Sequence, residues 1–116
     1  MAKPMMEIWE AQQQILLHGG FVSKFDIYSD FRDWFRSRAS KTGIYKPNKK
    51  AQLEYGHAVF VVGYDDENSF WVVKNSWSQK FGDNGFFRVR FKSSVMLPLI
   101  KSSLSFCLVH SFARCL

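Results

Sequence analysis

Three short apolar runs occupy the middle of the chain, at residues 58–62 (AVFVV), 70–73 (FWVV) and 86–91 (FFRVRF). Each is rich in β-branched and aromatic residues and too short for a helix, so each predicts a strand. Asp65-Asp66-Glu67-Asn68 separates the first two, and Gly82-Asp83-Asn84-Gly85 precedes the third. Short polar connectors of this kind join antiparallel neighbours, so the runs predict a three-stranded meander. Upstream the period changes. Ile8, Ala11 and Ile15 fall at i, i+3 and i+7, with Leu16 widening the stripe, which predicts a helix over residues 7–18. Pro4 precedes it, Glu7 and Glu10 sit at its positive end, His18 lies at its negative end, and Gly19-Gly20 stops it. Residues 21–28 set Phe21, Phe25 and Ile27 against Lys24 and Asp26, the pattern of a half-buried strand, with Ser23 its weak inward position. Asp30 ahead of Phe31, Trp34 and Phe35 predicts a short capped helical turn with an aromatic face. Residues 36–41 read as a polar loop, and residues 43–47 as a short strand ended by Pro47. One N-terminal helix plus an antiparallel β-sheet makes an α+β domain.

The register of the first hairpin carries the chemistry. Centred on Asp66, it sets Val59 against Val73, Val61 against Trp71, and His57 against Asn75, all on one face. A slip of one residue would part His57 from Asn75. A carboxamide oxygen accepts from one ring N–H, which fixes the tautomer and frees the other nitrogen to act as a base. Taken alone, such a pair is read as two polar groups satisfying each other at a sheet end.

The surrounding residues change that reading. Gly56-His57-Ala58, Val62-Gly63-Tyr64, Trp71-Val72-Val73-Lys74-Asn75-Ser76-Trp77 and Gly82-Asp83-Asn84-Gly85-Phe86-Phe87 follow one another in order. This series resembles the C-terminal catalytic segment of papain-like, cathepsin-like cysteine peptidases. The resemblance covers about residues 7–91 and implies the β-rich right-hand domain of the papain fold, truncated. It implies that His57 is the general base and ion-pair partner of a cysteine thiolate. It also implies that Asn75 orients His57 and that Trp77 shields their hydrogen bond from water. Two positions depart from the family pattern: Ser78 stands where Gly is usual, and Phe81 where Trp is usual. Ser78 would be strained if that position needs φ > 0.

The family's histidine and asparagine lie roughly 130–150 residues beyond a nucleophilic cysteine. The 56 residues ahead of His57 hold no cysteine. Without a thiolate the base has nothing to activate. The chain is therefore expected to be the His/Asn-bearing part of a cysteine-type peptidase, inactive alone. Its substrate would be a peptide or protein once a cysteine-bearing N-terminal half completes it. The competing reading is a non-catalytic interaction or inhibitory module, binding through the apolar surface that lined the cleft. Trp77, Phe81 and Trp71 are the candidates for that surface.

Composition narrows the rest. With 116 residues, 47% of them apolar and including 12 Phe, the chain suffices for one small domain with a substantial core. No apolar run approaches the ~18 residues of a membrane span. The net charge is +6, and seven of the 16 basic residues fall within residues 32–50. That stretch reads as a solvated face, since no aromatic-interleaved basic motif or phosphate loop accompanies it, and no nucleic-acid partner is expected. The N-terminus lacks the apolar core of a secretory signal, although the resembling family is usually lysosomal, vacuolar or extracellular, so localisation stays unassigned. Residues 1–92 are read as the peptidase subdomain and residues 93–116 as an unmatched apolar, basic tail without an acidic residue. Cys107, His110 and Cys115 in that tail are one ligand short of a closed zinc site and read as two incidental thiols beside a histidine. No metal or cofactor is expected.

Overall fold

Amphipathic spacing produces helix α1 over Ile8–His18 in the computed structural model, which describes residues 7–96. Glu7 and Glu10 form a capping box, with the Glu7 N–H donating to Glu10 Oε1 at 2.9 Å. At the other end Gly19 takes φ 82° and donates its N–H to the Ile15 carbonyl at 2.8 Å. Ala11 and Gln14 are buried, and Ile8 and Ile15 pack partly buried against the core. Leu16 does not widen the buried stripe: it is exposed, as are Trp9 and Leu17. At 3.6 residues per turn, Leu16 lies about 140° around the helix from the buried Ala11, on the solvent side.

The remaining elements are β1 (Phe21–Tyr28), α2 (Phe31–Arg36), β2 (Ile44–Tyr45), β3 (Leu53–Asp65), β4 (Phe70–Lys74) and β5 (Phe86–Arg90). They build one five-stranded sheet in the order β1-β3-β4-β5-β2. The expected meander is β3-β4-β5, and β1 flanks it antiparallel to β3. Among the described residues only β2 pairs parallel, against β5. Residues 36–41 are more ordered than a loop, because Arg38–Lys41 form a 3-10 turn. The buried Ser40 hydroxyl engages the carbonyls of Phe35 and Ser37 at 2.9 and 2.8 Å there.

The hairpin register differs from the one centred on Asp66. Phe60 pairs with Lys74 and Val61 with Val73, then Gly63 with Val72 and Tyr64 with Trp71. Val62 is thus an extra residue, a β-bulge. Near Asn75 the pairing is displaced by two residues from the expected one. Side chains alternate with a period of two, so an even displacement keeps His57 and Asn75 on the same face. Past the bulge the alternation of β3 inverts, and Tyr64 joins the Trp71 face with ring centroids 6.4 Å apart.

Two aromatic clusters fill the sheet's covered face. At one end Trp71, fully buried rather than part of an open surface, contacts Phe21 at 6.1 Å and Phe91 at 4.6 Å. At the other, Phe25, Phe31, Phe35, Tyr45 and Phe87 meet edge-to-face or stacked, with Phe31 at the centre. Asp30 precedes α2 but makes no side-chain cap. Its carboxylate accepts instead from the Tyr45 hydroxyl and the Asn48 N–H, both at 2.7 Å. Packing continues past residue 92: Val95 and Met96 are buried, and the Val95 carbonyl accepts from the Asp26 N–H at 2.7 Å. The remainder of the tail, with Cys107, His110 and Cys115, lies outside the described residues.

Burial, and then the Asp30 carboxylate, push the Tyr45 phenol well above its ordinary range. A group held protonated in the fold stabilises it fully below the unfolded pKa of about 10, and that contribution is lost as pH rises further. Urea midpoints followed from pH 8 to pH 11 should therefore fall more steeply for the native chain than for Tyr45→Phe. At pH 8, Tyr45→Phe should itself lose about 1.5–3 kcal/mol, the usual worth of a hydrogen bond to a charged group.

Candidate active site

His57 lies on β3 opposite Phe25 of β1, and Asn75 immediately follows the end of β4. His57 Nε2 and Asn75 Oδ1 are 3.0 Å apart. A carboxamide oxygen only accepts, so in this pair Nε2 carries the proton and Nδ1 remains to take up or release one. Asn75 is only 4% exposed. Its backbone N–H donates to the Gly85 carbonyl at 3.0 Å. Its Nδ2 has no hydrogen-bond partner among the described residues, a burial that costs about 1–3 kcal/mol. The carboxamide is thus held by its main chain and by one hydrogen bond to the imidazole.

Residues 76–85 are fixed at several points. Gly82 donates to the Phe35 carbonyl at 2.9 Å, and Gly85 to the Phe81 carbonyl at 2.8 Å. Gly82 has φ 65°, and a Cβ there would meet the Phe35 ring at 2.5 Å, so the position requires glycine twice over. Asp83 and Phe86 exchange both backbone hydrogen bonds around Asn84 (φ 54°) and Gly85 (φ 93°). Positive φ at both central residues is what a two-residue type I′ hairpin turn demands. Ser78 is not among the residues with positive φ, so the strain considered for it is absent. Its hydroxyl accepts from the Lys80 N–H at 3.1 Å and steadies the turn. Phe81 is half-buried, 6.4 Å from the Phe35 ring, with the Arg36 guanidinium 5.5 Å from its centroid.

This loop delivers Trp77. The indole packs at 5.6 Å from Phe31 and 5.8 Å from Phe35, and lies 5.2 Å from the His57 imidazole at a 34° tilt. It remains 37% exposed. The three residues singled out from sequence, His57, Asn75 and Trp77, therefore lie together. Two neighbours escaped sequence reasoning. The Arg32 guanidinium is 6.0 Å from the Trp77 ring and 5.5 Å from the Tyr55 ring, and it donates to the Tyr55 hydroxyl at 2.6 Å. Arg32 had been counted with the basic face. Its one available signal was its place directly after Phe31, on the helix that faces the site.

A sheet of this order, with α2 under a loop that carries an indole to an imidazole–carboxamide pair, defines the β-rich part of a papain-fold protein. The profile of the papain family cysteine proteases matches residues 5–106, and the chain belongs to that family. Cathepsin B-like cysteine proteinase 1 of Haemonchus contortus is 39% identical over 80 residues, which cover 67% of this chain and 21% of that protein. Cathepsin B-like cysteine proteinase 4 of Caenorhabditis elegans is 33% identical over 85 residues, covering 72% and 23%. The chain thus spans about a fifth to a quarter of the length of these relatives. Among solved structures, procathepsin B S9 from Trypanosoma congolense shares the fold with a TM-score of 0.57 at 24% identity, covering 74% of this chain and 28% of that one.

The geometry has a direct spectroscopic consequence. At pH values where His57 is neutral, nitrogen-15 spectra should show an Nε2–H protected from solvent exchange. In Asn75→Ala that proton should exchange at least about tenfold faster, the change expected for loss of roughly 1.4 kcal/mol of protection.

Proposed function

We propose that the chain supplies the histidine and asparagine of a Cys-His-Asn peptidase centre, and that by itself it does not hydrolyse peptide bonds. The observation that carries this reading is the 3.0 Å contact between His57 Nε2 and a buried Asn75 Oδ1 under the Trp77 ring. Family membership supports it, and so does the absence of cysteine ahead of His57; the chain's two cysteines are Cys107 and Cys115. With Nε2 committed to Asn75, Nδ1 of His57 takes the proton of a thiol supplied by a cysteine-bearing segment. The thiolate then attacks the scissile carbonyl carbon, and the imidazolium returns the proton to the departing amine. Water, deprotonated by the same nitrogen, releases the acyl group as a carboxylic acid. Asn75 keeps the ring aimed through both transfers, and Trp77 keeps water from their hydrogen bond, where a lower local dielectric strengthens it.

A second reading draws on one observation: the large apolar side chains Leu53, Tyr55 and Trp77 are exposed, Trp77 beside the imidazole. An apolar surface of this kind suits a non-catalytic interaction or inhibitory module. Co-expression with the cysteine-bearing half of a cathepsin B-like relative separates the two. The chain alone should show no turnover of a fluorogenic peptide, and the complex should show turnover. His57→Ala should lower kcat/KM of the complex by about 10²–10⁴-fold, and Asn75→Ala by less. Turnover by the chain alone that His57→Ala abolishes would contradict the proposal, and a well-formed but inactive complex would favour the interaction module.

A further inference from the structure

We propose that Arg32 selects substrates bearing a carboxylate in the leaving-group segment, within the first few residues beyond the scissile bond. The inference rests on the peptidase reading of His57 and adds to it a specificity-determining residue. The protonated imidazole gives its proton to the departing amine, so the segment that departs lies against the imidazole and whatever borders it. Trp77 borders it, 5.2 Å from the imidazole, and the Arg32 guanidinium lies 6.0 Å from the Trp77 centroid. An extended peptide advances roughly 3.3–3.6 Å per residue, so its first two or three leaving-side residues span the distance from the imidazole across Trp77 to Arg32.

Arg32 is exposed, and among the described residues no carboxylate pairs with it. Of the acids close to it in sequence, Asp30 accepts from Tyr45 and Asn48, and Asp33 lines a depression with Asp30, Asn48 and Lys50 without pairing with Arg32. One of the five guanidinium N–H groups is spent on the Tyr55 hydroxyl, and the rest of the fork is free to meet a carboxylate two-handed. The Tyr55 and Trp77 faces hold the guanidinium in place, so little side-chain freedom is lost on binding. Arg36, one helical turn further on and over Phe81, extends the positive rim.

Titration of the chain itself tests this without catalysis. Three dipeptides mimic the leaving segment: Ala-Glu-amide, Ala-Gln with a free terminal carboxylate, and Ala-Gln-amide. The readouts are the Arg32 Nε–H and Trp77 indole N–H resonances. At least one carboxylate-bearing peptide should bind threefold or more tightly than Ala-Gln-amide, and which one does identifies a side-chain or a terminal carboxylate as the preferred source. Arg32→Gln should erase the difference, and Arg32→Lys, which keeps the charge but not the fork, should retain part of it. Equal affinity for all three peptides, no binding of any, or a preference that survives Arg32→Gln would overturn the proposal. An inactive hybrid enzyme leaves this titration decisive, and a negative titration leaves the peptidase reading standing.

Discussion

The pairing of β3 with β4 is the constraint on which the site depends. Val59, Val61, Trp71 and Val73 are all fully buried, and they lock that pairing because a slip of one residue would turn the whole set outward. His57 and Asn75 extend the same inward rows beyond the apolar core, to the place where the sheet meets solvent. The bulge at Val62 serves the opposite end, where it turns Tyr64 toward Trp71 in place of the side-chain-less Gly63. One hairpin therefore completes an aromatic core at one end and holds an imidazole against a carboxamide at the other.

A second layer of order comes from α2. Phe31 and Phe35 belong to the core and also form the floor on which Trp77 rests. Gly82 ties the loop that carries Trp77 back to the Phe35 carbonyl. The indole's position over His57 is thus set by the core and not by the loop alone. Side chains placed by packing in this way need little reorganisation when they meet a substrate. Arg32 benefits from the same arrangement, since the helix that anchors Trp77 also presents the guanidinium beside it.

Much of this was legible from residue patterns. Alternation marked β1, three short apolar runs marked the meander, Gly19 marked the end of α1, and Gly82-Asp83-Asn84-Gly85 marked a turn ahead of β5. His57, Asn75 and Trp77 could be named together because ordered motifs surround them. What escaped had physical causes. The bulge escaped because Val62 is as apolar as its neighbours, so no pattern marks the extra residue. Leu16 was misplaced because hydrophobicity does not say which part of an apolar stripe the sheet will cover. Asp30 was read as a cap, since a helix start offers a local partner, whereas Tyr45 and Asn48 reach it only through the tertiary fold. Arg32 was read as one more solvated charge because its ring partners, Tyr55 and Trp77, lie far away in sequence.

The central claim is that this chain, through its own register and packing, already assembles the imidazole, the carboxamide and the indole. Nuclear Overhauser contacts in the isolated chain test it most directly. Cross-strand contacts for the Phe60–Lys74 and Val61–Val73 pairs report the register, and contacts from the His57 ring to the Asn75 side-chain amide and the Trp77 indole report the site. The account predicts both sets together. An intact register with the His57 ring in contact with neither Asn75 nor Trp77 would contradict it.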